Sequence, residues 1–470
     1  MCGVRSRARG KCALVNQPSR FRRLCGPPWP AGTVAARASR LPGRRVAPAR
    51  NRGLGGPFGV DYPRMWRVWC VWCAVTLAPS RPAHRRARLV WATGNFRSVR
   101  IDSLSALAAW AHTRSLTFAI TGNAMMRYQL LGRSGLRVSE LCLGTMTFGA
   151  GEWGTSESDA SAIYSCFREA GGNFFDTANE IYAEGRSEEI LGRLVSGHRD
   201  EVVIATKYSL ALPGARDVNR AGNHRKSLMR SLERSLKRLG TDHVDMMWIH
   251  AWDGITPIDE IMRALDDAVS IGKLLYLGAS NVPAWVVAQG NTLADCRGLT
   301  SFAGLQVEYS LIQRSAEYEL FPMARALDLG VMAWSPLASG ILSGKYGRAA
   351  PNEPHRLDTL KLRSLDERSN SLATAVVTVG ERIGHSAAQV ALNWVRGKGC
   401  IMPIIGARTL AQLEDNLGCL GFELDAQTMA QLDEQSLPPR VYPHDYLQFV
   451  QPLVHGGFQG ALELDRSHRL

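Results

Sequence analysis

The chain of 470 residues lacks several things, and each absence removes a class of protein. Its ten cysteines follow no regular spacing, which excludes a disulfide-stapled scaffold and points to a reducing compartment, the cytoplasm. Cys70 and Cys73 form one C-x-x-C pair with no second pair at zinc spacing behind it, so no metal is expected. The apolar run Val68 to Ala78 is shorter than the roughly 20 residues that a bilayer demands, so no membrane role is expected. No G-x-G-x-x-G follows any candidate strand, which counts against a doubly wound dinucleotide-binding sheet.

Acidic residues are the most uneven absence. Residues 1–124 contain only Asp61 and Asp102 against 21 Arg and a single Lys, so the whole net charge of +14 resides there and the remainder is mildly acidic. This stretch also holds six of the 12 Trp without a helical or alternating apolar pattern to pack them. A transit peptide would be shorter and richer in Ser, a nucleic-acid arm would not scatter Trp, Cys and Pro so evenly, and the apolar run is too short for an anchor. The expectation is an unstructured extension read through from upstream of the true start, with no nucleic-acid partner. Patterned sequence begins at Met126-Arg127-Tyr128.

From there the chain alternates strand and helix. Eight short runs rich in β-branched or aromatic residues read as strands: 141–147, 173–176, 202–206, 244–250, 274–278, 304–308, 330–335 and 400–406. Between them lie amphipathic stretches, among them 158–170, 225–239, 257–271, 316–329 and 387–395, several of which end in Gly as helix stops do. Eight such units over residues 125–436 predict an α/β fold, a closed (β/α)8 TIM barrel, with residues 437–470 as a tail that either covers the barrel mouth or packs on a neighbour.

In such a barrel the chemistry belongs at the carboxyl ends of the strands. Asp176 ends the second strand, Lys207 the third and His250 the fourth, and Tyr182 lies in the loop just after Asp176. Alone, each has an ordinary structural use: a helix cap, a solvated strand end, a core histidine, a loop anchor. Together they supply a proton donor, a cation beside it, a carboxylate to hold the cation and a neutral imidazole.

At these residues the sequence resembles the aldo-keto reductase superfamily. The matching segments are Phe175-Asp176-Thr177-Ala178, Tyr182-Ala183-Glu184-Gly185-Arg186-Ser187-Glu188-Glu189, Ala205-Thr206-Lys207 and Ile249-His250-Ala251-Trp252-Asp253. Gly278-Ala279-Ser280-Asn281, Gln306-Val307-Glu308-Tyr309-Ser310, Trp334-Ser335-Pro336-Leu337 and Gly406-Ala407-Arg408 are similar to segments that bind a nicotinamide dinucleotide in the family. The likeness is greatest to bacterial members, a group that also resembles the potassium-channel β subunits. It implies hydride transfer from NADPH to the carbonyl carbon of an aldehyde or ketone, with Tyr182 protonating the oxygen. A free phenol has a pKa of about 10 and is a reluctant donor near neutrality; an ammonium such as Lys207, held by Asp176, brings it nearer the working range, and His250 would hydrogen-bond the carbonyl oxygen.

The same resemblance assigns Ser280, Asn281 and Gln306 to the cofactor's carboxamide and Tyr309 to a stack on its ring, although Tyr309 also reads as a core aromatic. Gly144, Thr145 and Met146 join the cofactor site from the end of the first strand, as do Trp334, Ser335, Pro336 and Leu337 from the seventh. Gly406 and Arg408 precede a helix over 410–417, where free amides and a guanidinium favour a phosphate and hence NADP(H). Gln412, Asp415 and Asn416 would contact the adenosine half, and Lys345, beside Gly344, would reach the pyrophosphate from a flap over 339–369. Two features depart from the pattern. Tyr182 stands six positions after Asp176 rather than five, and Trp248 stands where relatives more often carry Gln. The altered spacing keeps a second reading open: an NADP(H)-binding regulatory subunit with weak turnover. The substrate, a small carbonyl compound, and the oligomeric state are not encoded in any spacing rule.

Overall fold

A computed structural model describes residues 126–214, 216–346 and 366–458. The extension 1–124, its Cys70–Cys73 pair and part of the 339–369 flap lie outside the described residues. Among the described residues there are ten strands. β1 (Tyr128–Leu130) and β2 (Arg137–Ser139) pair antiparallel as a hairpin. The other eight are β3 (Cys142–Gly144), β4 (Phe174–Asp176), β5 (Val203–Tyr208), β6 (Val244–Ile249), β7 (Leu274–Ser280), β8 (Phe302–Glu308), β9 (Gly330–Trp334) and β10 (Ile401–Ile405). They run parallel in chain order, and β10 returns to pair with β3, closing the barrel. The eight expected strands are all present with ends shifted by a few residues, and the open-sheet alternative falls away.

Each strand is apolar on both faces because helices cover the outside while side chains fill the inside. Every residue of β5 and β6 is buried. A large outer core lies between barrel and helices. A smaller inner cluster contains Cys142, Phe174, Val203, Met246, Trp248, Met332 and Met402, with Leu131 and Val138 of the hairpin set against it. Leu131 follows β1 at the amino ends of the strands, so the hairpin stoppers the floor of the barrel. Trp248 finds its place here. An added Cβ on Gly278 would come within 2.2 Å of its ring, and one on Gly304 within 3.0 Å. The bulk of Trp248 on β6 is therefore matched by two residues without side chains on β7 and β8.

The helices begin and stop where their sequences allow. Ser156, Asp366, Thr409 and Asp425 accept hydrogen bonds from backbone N–H groups in the first turns of the helices they cap, and Ser386 with Gln389 forms a capping box. Gly240, Gly298 and Gly384 end helices in the left-handed region. One expectation is corrected. The single helix over 316–329 is a short turn, Ser315–Glu317, followed by a separate helix, Leu320–Ala326. Pro322 has no N–H to give the carbonyl of Tyr318, and it lies in the first turn of the second helix, where no such bond is needed. After the helix Ala426–Ser436, the tail runs against the loop that follows β8. The Tyr318 hydroxyl donates to the Pro439 carbonyl at 2.9 Å and the Tyr318 ring stacks on His444 at 5.3 Å. The tail then forms the exposed helix His444–Val454. Among the described residues no helix is long and apolar enough to cross a membrane.

Candidate active site

The four side chains expected to carry the chemistry meet at the carboxyl mouth of the barrel. Asp176 closes β4, Lys207 lies one residue short of the end of β5, and His250 follows β6. Lys207, 1% exposed, forms a close ion pair with Asp176 Oδ2, and its ammonium also donates to the Thr177 carbonyl at 2.8 Å. The other carboxylate oxygen, Asp176 Oδ1, accepts from Gln306 Nε2 at 2.8 Å. Burial works to lower the Lys207 pKa, but the Asp176 charge, Tyr182 and the hydrogen bond to Asp176 outweigh it and hold the group above the ordinary lysine value. The ammonium is thus a fixed cation.

Tyr182 arrives beside that cation in spite of the six-residue connection. Asn179 N–H still donates to the β5 carbonyl of Lys207 at 3.3 Å, and the chain then turns sharply, with Tyr182 N–H on the Asn179 carbonyl at 3.1 Å and Ile181 N–H on Asn179 Oδ1 at 3.3 Å. The turn absorbs the extra residue. The Lys207 ammonium lies 5.1 Å from the centre of the Tyr182 ring, and the His250 ring meets that ring edge-on at 6.0 Å. Behind Tyr182 the chain is unusual: Ala183, Glu184 and Gly185 have φ of 51°, 60° and 95°.

His250 is anchored through its backbone N–H, which donates to the Tyr208 carbonyl at 3.0 Å and to Ser209 Oγ at 3.2 Å. Its buried Nδ1 has no partner among the described residues. Burial first, and the Lys207 charge second, push its pKa down to about 3, so the imidazole is neutral near pH 7.

The remaining expected residues fall into three groups. Asn281, in the left-handed region at φ 52°, donates to the His250 carbonyl at 2.9 Å and to Ser280 Oγ at 3.1 Å. Its side-chain oxygen accepts from the indole of half-buried Trp334 at 3.2 Å. This group continues from the four reactive residues around the mouth, and Gln306, tied to Asp176, stands with it.

A second group lines one cleft between the segment after β9 and the start of the helix Leu410–Leu417. Ser335, Pro336, Leu337 and Lys345 form one wall, and Gly406, Arg408, Gln412, Asp415 and Asn416 form the other. Gly406 has open space where a side chain would stand. The Gln412 oxygen accepts from the Arg408 backbone N–H at 2.9 Å. Asp415 receives Ser386 Oγ and Gln389 Nε2, each at 3.0 Å. Gly344 ends the turn Ala338–Ser343 at φ 76°, and an added Cβ would be 2.7 Å from Val377.

The third group is turned away from the mouth or into the wall. Tyr309 is fully buried; its ring stacks on Trp394 at 5.3 Å and its hydroxyl donates to Glu317 at 2.5 Å. The core-aromatic alternative describes how this side chain packs, and half-buried Trp334 is the aromatic beside Asn281 at the mouth. Thr145 is buried, its hydroxyl donating to the Asp176 carbonyl at 3.2 Å. Gly144 allows Ile404 to approach, since a Cβ there would lie 2.8 Å from it; Met146 follows, half-buried.

Sequence reasoning missed an ionic cluster beside Tyr182. Glu180, 7% exposed, accepts from Arg220 Nε at 3.0 Å, with Arg234 and Arg238 at 3.7 and 3.9 Å. The spacing of Arg230, Arg234 and Arg238 four apart on the helix Arg225–Leu239 was the available signal.

A parallel barrel with an Asp, Lys, Tyr and His cluster at its mouth and a polar cleft alongside fits an oxidoreductase of the carbonyl-reducing class. The chain belongs to the aldo/keto reductase family, whose family model matches residues 140–436. Among its relatives, norsolorinic acid reductase stcV of Emericella nidulans is 39% identical over 313 residues, 64% of this chain and 79% of that protein. The uncharacterised oxidoreductase YrpG of Bacillus subtilis is 38% identical over 322 residues, 66% of this chain and 95% of its own length. Aryl-alcohol dehydrogenase GME11368 of Pestalotiopsis microspora is 34% identical over 338 residues, 69% and 85% of the two chains.

Proposed function

We propose that the protein reduces an aldehyde or ketone to the alcohol with NADPH, and that Tyr182 delivers the proton. The observation that carries this reading is the contact of three groups: the buried Asp176–Lys207 pair, the Tyr182 ring beside its ammonium, and a neutral His250 set edge-on to that ring. Asp176 keeps Lys207 charged and aimed. Lys207 stabilises the phenolate that Tyr182 becomes once its proton has gone to the carbonyl oxygen. His250, with a ring nitrogen free of protein partners among the described residues, offers a neutral hydrogen bond to the same oxygen as negative charge gathers there. A bound dihydronicotinamide supplies the hydride.

The residues present suit such a group. Ser280 and Asn281 lie beside the reactive cluster, and Trp334 offers an aromatic face at the mouth. Arg408 and the open backbone at Gly406 precede the amino end of the helix Leu410–Leu417, with Lys345 across the cleft, an arrangement for phosphates that favours NADP(H) over NAD(H). Trp252, two residues beyond His250, packs edge to face with Trp285 at 5.4 Å. Together with the names of the relatives, this favours a carbonyl borne on an aromatic ring.

The test is steady-state NADPH oxidation with a panel of aliphatic and aryl carbonyls. Tyr182→Phe is expected to lower kcat by about 100-fold or more while leaving the NADPH dissociation constant unchanged. Tight NADPH binding by the wild type without any turnover would return the chain to the nucleotide-binding subunit reading.

A further inference from the structure

We propose that Glu180 is a positioning residue that holds Tyr182 against Lys207, a role that rests on the reductase reading above. The backbone behind Tyr182 has few hydrogen bonds of its own, among them that from the Gly185 N–H to the Tyr182 carbonyl at 3.0 Å, and little else within the turn to fix its conformation. Ala183 and Glu184, both with side chains, sit at φ of 51° and 60°, followed by Gly185 at 95°; such a run persists only where its surroundings fix it. Two contacts do so. On one side of the turn the buried Glu180 carboxylate accepts from Arg220 Nε at 3.0 Å and faces Arg234 and Arg238 at 3.7 and 3.9 Å. On the other side the Arg238 side chain crosses Gly185 so closely that an added Cβ would be 2.6 Å from its Cδ.

Arg238 also ties the turn to the strand that bears the cation. Its Nε donates to Glu188 Oε2 at 2.7 Å. Glu188 is wholly buried, and its other oxygen accepts from Thr206 Oγ1 at 2.6 Å. Thr206 immediately precedes Lys207 on β5. A chain of charge-assisted contacts therefore runs from the strand of Lys207 through Glu188 and Arg238 to Glu180, and encloses the turn that carries the phenol. Glu180 is the only carboxylate among those contacts facing all three guanidinium groups. Without its charge, Arg220 and Arg234 lose this carboxylate two residues from Tyr182 while Arg238 keeps only Glu188, and the turn loses a tie that holds it folded back.

Glu180→Gln keeps the shape of the side chain and an acceptor for Arg220 while removing the countercharge. It is expected to reduce kcat by about tenfold, since misplacing a reacting group by a fraction of an ångström is already costly. The KM for NADPH and the melting temperature are expected to stay near wild type. The decisive measurement is a double-mutant cycle with Tyr182→Phe. If Glu180 acts through the phenol, Glu180→Gln leaves the residual rate of Tyr182→Phe unchanged. An equal loss in both backgrounds, or no loss in either, overturns the proposal. Arg220→Gln, which breaks the same contact from its more exposed side, serves if Glu180→Gln does not fold, with the same coupling expected and the same outcomes overturning it. Should Tyr182→Phe itself retain full activity, the assignment of Tyr182 as proton donor fails and this inference with it; a crippled Tyr182→Phe beside a fully active Glu180→Gln removes the inference alone.

Discussion

His250 shows how a single residue's surroundings set its chemistry. Burial and the neighbouring Lys207 charge lower its pKa to about 3, whereas the unfolded chain binds a proton at the ordinary histidine value. Stability tied to His250 is therefore complete above pH ~6.5 and is lost as the pH falls from there toward 3. Between pH 7.5 and 5 this difference amounts to about 2 kcal/mol. Urea unfolding at the two pH values is expected to show that loss in the wild type and its absence in His250→Asn; the same pH dependence in both proteins would refute it. The placement of Asp176, Lys207 and His250 was legible because strand ends are legible: a strand that stops on Asp, Lys or His in a barrel presents that side chain at the mouth. Tyr309 was not. Its place after β8 is visible in the chain, but the direction of its ring depends on Trp394 and Glu317, and Trp394 lies on a later helix. Glu180 was hidden for the same reason, since a carboxylate in a loop resembles a solvated one until the guanidinium groups of Arg220, Arg234 and Arg238 are brought to it.

Among the elements, the wall formed by β6, β7 and β8 is the most tightly specified. Trp248 fills the inside of the barrel only because Gly278 and Gly304 have no side chains, which gives a physical use to a tryptophan that pattern reading left unexplained. Gly278→Ala would place a Cβ 2.2 Å from the indole, and overpacking of this kind costs about 1–3 kcal/mol. Chemical denaturation is expected to show that loss, partly recovered by adding Trp248→Leu; an unchanged midpoint in Gly278→Ala would contradict the packing account. Strand and helix periods carried most of this level, down to the identical bounds expected and found for the helix Arg225–Leu239. The failure over 316–329 came from weighing apolar spacing above Pro322, whose missing N–H decides the matter. The β1–β2 hairpin escaped notice because three-residue strands are too short for alternation to register.

Across the whole barrel, stability and chemistry occupy opposite ends. The hairpin closes the floor with Leu131 and Val138, both fully buried, while every proposed reactive group lies at the mouth. Leu131→Ala is expected to cost about 2–5 kcal/mol in unfolding free energy and to leave kcat at wild-type level below the melting transition. A loss of turnover without loss of stability would show that the two ends communicate. The bond between Gln306 and Asp176 has a further consequence, for it spans 130 positions in the chain. A polypeptide still emerging from the ribosome, and complete only through the residue after β6, already bears Asp176, Tyr182, Lys207 and His250. It lacks the amide that bonds the carboxylate and the last strand that seals the circle, so the proposed reaction is expected to wait until synthesis has passed β10.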